Sequence, residues 1–156
     1  MKHRIAGRRL GRPTDQRLAL LHNLVTSLLW HGSVTTTTAR AKEARSMAEK
    51  LITLARKDSV HRRRLARRTL MPRTGLFSMK EGSYREAPSG GEAEKASQAG
   101  RSASSVENSV KHLFEHVAPQ FQDRPGGYAR IIRLGLRKGD GASKVMLQLV
   151  DYRPIE

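Results

Sequence analysis

The sequence predicts an α+β protein, a small two-layer domain in which helices cover one face of a short sheet. Apolar residues recur at helical spacing in the first part of the chain, and two strand-like runs joined by a glycine-rich connection end it. The 156 residues suit one domain with appendages. The predicted order is a helix, a strand, two or three helices and two strands, after a basic N-terminal tail at 1–14.

The first helix is predicted to follow Pro13, with Thr14 or Asp15 as its cap, and to stop at Gly32. A strand from Ser33 to Thr36 is predicted next, because SVTTTT is rich in β-branched residues and too short for a helix. The apolar positions of the helix are Leu18, Leu21, Leu24, Val25 and Leu28.

Two further helices are predicted from TARAKEARSMAEKLITLARK and HRRRLARRTL. Thr37 or Thr38 is placed to cap the first of them, and Pro72 is expected to end the second. The inward residues are Ala41, Ala44, Ala48, Leu51, Ile52 and Ala55, then Leu65, Ala66 and Leu70.

The segment 72–103 differs in composition, being rich in Gly, Ser, Ala and Glu, as in PSGGEAEKASQAGRSASS. Such a segment cannot bury enough apolar area to order itself, so it is predicted to be a low-complexity insert. Between Pro72 and Ser105 there are five basic and four acidic residues, which makes the insert a poor nucleic-acid arm. The single α+β domain is accordingly placed at 15–71 and 104–152.

The last helix is predicted from SSVENSVKHLFEHVAP, where Ser104 and Glu107 have capping-box spacing and Pro119 closes the helix. YARIIRLG and KVMLQLV then predict two strands, which LRKGDGAS joins as a hairpin. The predicted buried face of the helix comprises Val106, Val110, Leu113, Phe114 and Val117.

Charge is the strongest compositional signal. The chain carries 30 Lys and Arg against 14 Asp and Glu, a formal charge of +16 with an isoelectric point near 11.3. Self-repulsion on that scale opposes a compact fold, so a polyanionic partner is expected. Arginine outnumbers lysine, and its guanidinium group matches phosphate oxygens and guanine edges, which favours nucleic acid. Because only 4% of the residues are aromatic, structured backbone is a better target than splayed single strands.

Several classes of protein are excluded or disfavoured. The chain has no cysteine, which rules out disulfides, thiolate metal sites and a cysteine nucleophile. Its longest apolar stretch, LVTSLLW, is much too short to span a bilayer, so no membrane partner is expected. The N-terminus is Arg-rich like an organellar transit segment, but two glycines and a proline interrupt the amphipathic helix that such a segment needs.

The sharpest catalytic motif is HLFEH, His112 to His116, which fits the H-x-x-E-H pattern of inverted zinc proteases. On a helix the two histidines would share a face, and Glu115 could polarise a zinc-bound water. A third ligand would have to come from the few acids that follow, and the alternative is an amphipathic helix with histidines flanking its apolar face. Short motifs match by chance, so a zinc hydrolase is the least favoured hypothesis.

Two glycine-rich segments, PGGYARI and KGDGA, match neither a Walker loop nor a dinucleotide fingerprint. They are interpreted as turns beside cations that contact phosphate. Trp30 and Tyr128 are interpreted as finishing the core rather than stacking on bases. The cations beside the glycines are Arg124, Arg130, Arg137 and Lys138.

A cluster of arginines lies on the predicted third helix. Hardly a carboxylate is nearby to relieve the repulsion, which favours contact with an RNA backbone over a solvated face. The cluster comprises Arg62, Arg63, Arg64, Arg67 and Arg68.

Five segments together resemble one family: MKHRIAGRRLGR, LLHNLVTSLL, ARAKEARSMAEKLITLARK, KHLFEHVAPQF and DRPGGYARIIRLGLRKGD. They appear in the order seen in ribosomal protein seventeen of the bacterial large subunit, and they cover nearly everything outside the insert. The chain departs from the family at Pro125, where Asn is common, and at Leu136, where Pro is frequent. The insert is also much longer than the usual connection.

The resemblance implies a structural constituent of the large ribosomal subunit, on the exit-tunnel side, bound to large-subunit ribosomal RNA and neighbouring ribosomal proteins. It implies a cytoplasmic protein that is neither an enzyme nor an independent homo-oligomer and needs no cofactor, with an organellar ribosome less favoured. A free nucleic-acid-binding regulator and the zinc hydrolase stay open as alternatives. The RNA-binding residues predicted from the resemblance and the charge clusters are Lys2, His3, Arg4, Arg8, Arg9, Arg12, Arg17, Arg40, Lys42, Arg62, Arg63, Arg64, Arg67, Arg68, Arg124, Arg130, Arg137 and Lys138.

Overall fold

The computed structural model describes residues 7–71 and 109–153, and the predicted α+β class and order of elements are confirmed. Predictions for the first residues of the tail, for the insert and for the capping box of Ser104 and Glu107 lie outside the described residues. The helices are α1 (Thr14–His31), α2 (Thr38–Ala55), α3 (Val60–Arg67) and a helical segment at 109–120. The strands are β1 (Ser33–Thr37), β2 (Ala129–Leu136) and β3 (Ser143–Leu149).

Helix α1 ends as predicted but begins differently. Pro13 occupies the cap position and no side chain caps the helix, so neither Thr14 nor Asp15 has the predicted role. Asp15 instead lies in the first turn, where a negative charge complements the helix dipole. At the other end Gly32 adopts a left-handed conformation, φ 71°, and its N–H donates to the carbonyl oxygen of Leu28 at 2.8 Å.

Helices α2 and α3 confirm most of the predicted inward residues. Thr37 precedes α2 but makes no capping hydrogen bond, so the predicted capping role is wrong. Helix α3 is capped by Ser59, whose hydroxyl accepts from the Arg62 N–H at 3.3 Å, and the helix ends well before Pro72. Leu65 is only half-buried. The other predicted positions are buried: Ala41, Ala44, Ala48, Leu51, Ile52, Ala55, Ala66 and Leu70.

The helical segment 109–120 widens into a π-helical turn at Leu113–Val117 and then continues to Gln120. Pro119 therefore lies inside the last turn and does not close the helix as predicted. Proline has no N–H to donate to the carbonyl of Glu115, and its ring would crowd that carbonyl in a regular α-helix, so a wider turn relieves the conflict. The predicted apolar face is buried at Val110, Leu113, Phe114 and Val117.

The three strands form one antiparallel sheet in the order β1-β3-β2. Strand β1 runs one residue further than predicted, to Thr37. A bulge between Arg133 and Gly135 interrupts the pairing of β2 with β3, and Gly135 supplies the positive φ of 114° found there. Alternate residues of the central strand are buried against the helices, which cover one face: Val145, Leu147 and Leu149.

The two ends of this sheet differ in character. At one end, which we call the buried end (Gly32, Phe121, Tyr128, Leu149 and Tyr152), the Leu149 N–H donates to the Gly32 carbonyl oxygen at 2.7 Å. Tyr128 is 1% exposed there and meets Phe121 edge-on, with ring centroids 5.4 Å apart. The hydrophobic cluster that includes these residues draws on all four helical elements.

Candidate nucleic-acid interface

The basic tail meets the domain at α2. Arg8 Nε lies 3.7 Å from Oε1 of Glu43, and Leu10 packs on the core in a left-handed conformation. The Arg12 N–H donates to the Arg9 carbonyl oxygen at 3.2 Å, which makes a turn. These contacts place the exposed side chains of Arg8, Arg9 and Arg12 beside α1 and α2. Three further predicted tail residues lie outside the described residues: Lys2, His3 and Arg4.

The arginine cluster on α3 is partly committed to contacts within the protein. Arg62 Nη1 donates to the Leu54 carbonyl oxygen at 3.1 Å. Arg63 makes a two-pronged ion pair with Asp58, at 2.8 and 2.7 Å, and lies over the Phe114 ring, 5.2 Å from its centroid. This hydrogen-bonded pair lowers the pKa of Asp58. The exposed members of the cluster are Arg64, Arg67 and Arg68.

Three of the predicted cations near the C-terminus have partners on neighbouring turns or strands. Arg124 Nη2 donates to Asp151 Oδ2 at 2.6 Å, and Arg130 donates to the Gln148 side-chain oxygen at 3.1 Å. These contacts fix the guanidinium groups but leave them at the surface. Lys138 is exposed at the tip of the β2–β3 hairpin, as the sequence predicts for a turn.

The third partnered cation is Arg137, which is paired with Asp140 across the hairpin turn. Its Nε donates to Asp140 Oδ1 at 2.9 Å and its Nη2 to Oδ2. The Ala142 N–H donates to the same carboxylate at 3.2 Å. These bonds hold the pKa of Asp140 well below its ordinary value, so the carboxylate stays charged and the guanidinium stays in place.

A cavity of about 160 Å³ opens where the end of β1, the start of α2 and the hairpin meet. We call it the cationic cavity, because all the charged residues that line it are basic. Thr38 Oγ1 lies 2.9 Å from Ser143 Oγ and fastens the start of α2 to the start of β3 beside it. The lining residues are Thr35, Thr36, Thr37, Arg40, Arg137, Ala142 and Lys144.

The structure therefore brings together two of the predicted RNA-binding residues, Arg40 and Arg137, and adds one that was not predicted, Lys144. Lys144 could be assigned to this cavity only from the register of the strands, because it pairs with Thr37 on one side and Gly135 on the other. The remaining helical cations lie elsewhere, Arg17 half-buried on α1 and Lys42 exposed on α2.

The first histidine of the HLFEH motif, His112, is buried and packs against other side chains. The His112 ring stacks on Trp30 at 4.0 Å between centroids and 7° between planes. Its Nε2 is 3.1 Å from both the Leu29 carbonyl oxygen and the Tyr152 hydroxyl. Among residues 7–71 and 109–153 no group of three or more His, Asp or Glu could hold a metal ion. The interpretation of Trp30 and Tyr128 as core residues is supported, since Trp30 meets His112 and Tyr128 is buried.

Comparison with known proteins identifies the chain. It matches the family model described as ribosomal protein L17 over residues 20–150. The large ribosomal subunit protein bL17 of Clostridium acetobutylicum is 44% identical over 143 residues, covering 92% of this chain and 96% of that protein. The bL17 proteins of Thermoanaerobacter sp. (strain X514) and Clostridium botulinum (strain Hall) are 41% and 43% identical, each over 92% of this chain.

A small, strongly basic α+β protein with these relatives is a protein of the large ribosomal subunit. The chain belongs to the ribosomal protein L17 family. Proteins of this family are structural parts of the ribosome and not enzymes, so the chain serves translation as a structural component. In the part of the chain that the structure describes, no helix is long and apolar enough to cross a membrane.

Proposed function

We propose that the chain binds large-subunit ribosomal RNA through its exposed cations, lies on the exit-tunnel side of the subunit and works in the cytoplasm. The observation that carries the proposal is an excess of positive charge that the protein cannot neutralise itself. The described residues hold 23 Lys and Arg against 8 Asp and Glu. Even if every acid neutralised one cation, most cations would still need an external anion.

The placement of the cations supports RNA rather than a small anion. They occupy the tail, the exposed side of α3, the turn at Arg124 and the hairpin, which belong to different elements of the fold. A long polyanion can contact several such surfaces at once, and each neutralised phosphate releases counterions. The RNA-binding residues predicted from the sequence are retained in this proposal, with Arg62 and Arg63 contributing least because of their internal contacts.

A different surface suits neighbouring ribosomal proteins. Leu134 and Leu136 on β2 are 49% and 75% exposed, and β2 is an edge strand. Exposed apolar side chains beside an unpaired strand edge are typical of a surface that a protein partner covers. Contacts of this kind would complement RNA contacts made by the cations.

Sedimentation tests the proposal against a free nucleic-acid-binding regulator. We expect the tagged full chain to travel with the large subunit at physiological ionic strength, about 0.15 M, and RNase treatment should release it. The variant Arg8→Ala/Arg9→Ala/Arg12→Ala should incorporate poorly. Its matched control, Lys80→Ala/Arg85→Ala/Lys95→Ala, loses the same charge from the insert and should incorporate normally. A chain that stays at the top of the gradient would contradict the proposal.

A further inference from the structure

We propose that the cationic cavity is a phosphate pocket that receives one phosphate group of the RNA backbone. This inference rests on the proposed RNA-binding function and names an individual site within it. The pocket adds Lys144 and the strand residues Thr35, Thr36 and Thr37 to the interface.

Charge is the first support. Arg40 comes from the first turn of α2, Arg137 from the hairpin and Lys144 from β3, and all three line one small cavity. Asp140 neutralises one of these charges, so the wall keeps an excess of positive charge around an open space. Like charges held around one space repel one another. An anion bound among them is attracted to each cation, and this attraction offsets the repulsion between the cations.

Hydrogen-bonding capacity is the second support. Arg137 uses two guanidinium nitrogens on Asp140, which leaves donors on the same fixed group. Thr37 stands at the capping position of α2, yet its side chain makes no capping hydrogen bond. Hydroxyls and guanidinium groups together match the several acceptor oxygens of a phosphate group.

The walls of the cavity are also held in place by backbone and side-chain contacts within the protein. The bond from Thr38 Oγ1 to Ser143 Oγ joins α2 to β3, and the Arg137 N–H donates to the Ala142 carbonyl oxygen at 2.9 Å. The pairing of Thr37 with Lys144 fixes the distance between β1 and β3. A pocket whose walls are set in advance loses little freedom when it binds its ligand.

RNA binding as a function of salt tests the pocket. The variant Arg40→Gln/Lys144→Gln should reduce the salt slope for large-subunit ribosomal RNA by about 0.7 to 0.9 and raise Kd about tenfold or more. The matched control Arg45→Gln/Lys50→Gln removes the same charge from the exposed side of α2. The control should change the salt slope far less. Equal changes in the two variants would contradict the proposal that the cavity binds a phosphate group.

A titration of the full chain with inorganic phosphate at constant ionic strength gives an independent result. We expect the backbone amide signals of Thr36, Thr37 and Lys144 to shift and saturate in the wild type, and not in Arg40→Gln/Lys144→Gln. A titration without saturable shifts would overturn the pocket. Failure of the wild type to bind RNA would refute the proposed function and with it the assignment to RNA phosphate. If the phosphate shifts saturate although the wild type does not bind RNA, the cavity is an anion site of another kind.

Discussion

The two ends of the three-stranded sheet have opposite surroundings. The buried end closes on Tyr128 and Leu149, each 1% exposed, and on a chain of contacts from Gly32 through Tyr152 to His112. The other end, which we call the cationic end, opens into the cationic cavity. There β1 ends at Thr37 and β3 begins at Ser143. The same strands therefore contribute to the core at one end and present charge at the other.

This difference shows how a very basic chain keeps a stable fold. Apolar residues and aromatic rings, among them those of the buried end, pack into one core, and their burial supplies free energy of folding. Like charges are kept out of that core, on the protein surface and around the cationic cavity, where water and counterions reduce their repulsion. Substitutions at the buried end should therefore change stability, and substitutions at the cationic end should change binding.

The largest effect is expected for Gly32→Ala. Residue 32 has φ 71°, and a Cβ there would overlap Cδ1 of Tyr152 and lie 3.0 Å from its Cε1. The left-handed conformation costs about 1 to 2 kcal/mol and overpacking about 1 to 3 more, so unfolding in urea should show a loss of about 2 to 5 kcal/mol. At the other end Gly141→Ala has a similar φ of 63° but no close neighbour, and should lose only about 1 to 2 kcal/mol. Equal losses would contradict the contrast between the two ends.

His112→Phe should have the next largest effect. The substitution keeps a ring on Trp30 but removes the hydrogen-bonding nitrogen near Leu29 and Tyr152, leaving buried polar groups without a partner. We expect a loss of about 1 to 3 kcal/mol in the free energy of unfolding. Zinc and chelators should leave the Tm of the wild type unchanged. A Tm that rises with zinc would support the hypothesis that the HLFEH motif binds zinc.

Removal of the insert should destabilise the protein less than either Gly32→Ala or His112→Phe. The Ser109 hydroxyl donates to the Met71 carbonyl oxygen at 3.2 Å, so the chain positions on either side of the insert are already adjacent. Replacing residues 74–101 with a short Gly/Ser link should change the free energy of unfolding by less than about 1 kcal/mol, because closure entropy depends weakly on length. Thermal unfolding of the two forms measures the change. A loss of several kcal/mol would mean that the insert packs on the domain.

The smallest effect on stability is expected for Arg40→Gln/Lys144→Gln. These side chains line an open cavity and do not belong to the hydrophobic core. Urea unfolding should therefore change by less than about 0.5 kcal/mol, in either direction. A large destabilisation would show that the cationic end supports the fold and would weaken its assignment as a binding surface.

Much of the fold could be predicted because its signals are local. The alanine stripe of α2 and the left-handed end of α1 at Gly32 are encoded within a few turns of chain, and both are found. The predicted caps of α1 and α2 are wrong for different reasons. Helix α1 already includes Thr14 and Asp15, so Pro13 holds its cap position, whereas Thr37 does hold the cap position of α2 but its hydroxyl makes no capping hydrogen bond. The π-helical turn was missed because Pro119 was expected to end the helix, whereas a wider turn accommodates it.

The candidate site could be predicted only in part. Charge marked Arg40 and Arg137, but nothing local relates either residue to Lys144. The cavity depends on the pairing of β1 with β3, which joins Thr37 to a residue more than a hundred positions away. The internal partners of Arg62 and Arg63 likewise depend on the turn of chain between α2 and α3 and on the core ring of Phe114.

Lysine reactivity in the assembled ribosome tests most directly the claim that the cationic end contacts RNA. Amine acetylation would be compared in purified large subunits and in the free chain, and read by mass spectrometry. Lys138 and Lys144, exposed in the free protein, should be strongly protected in the subunit. RNase digestion should restore their reactivity. If Lys138 and Lys144 react equally fast in the subunit and in the free chain, the cationic end does not contact RNA.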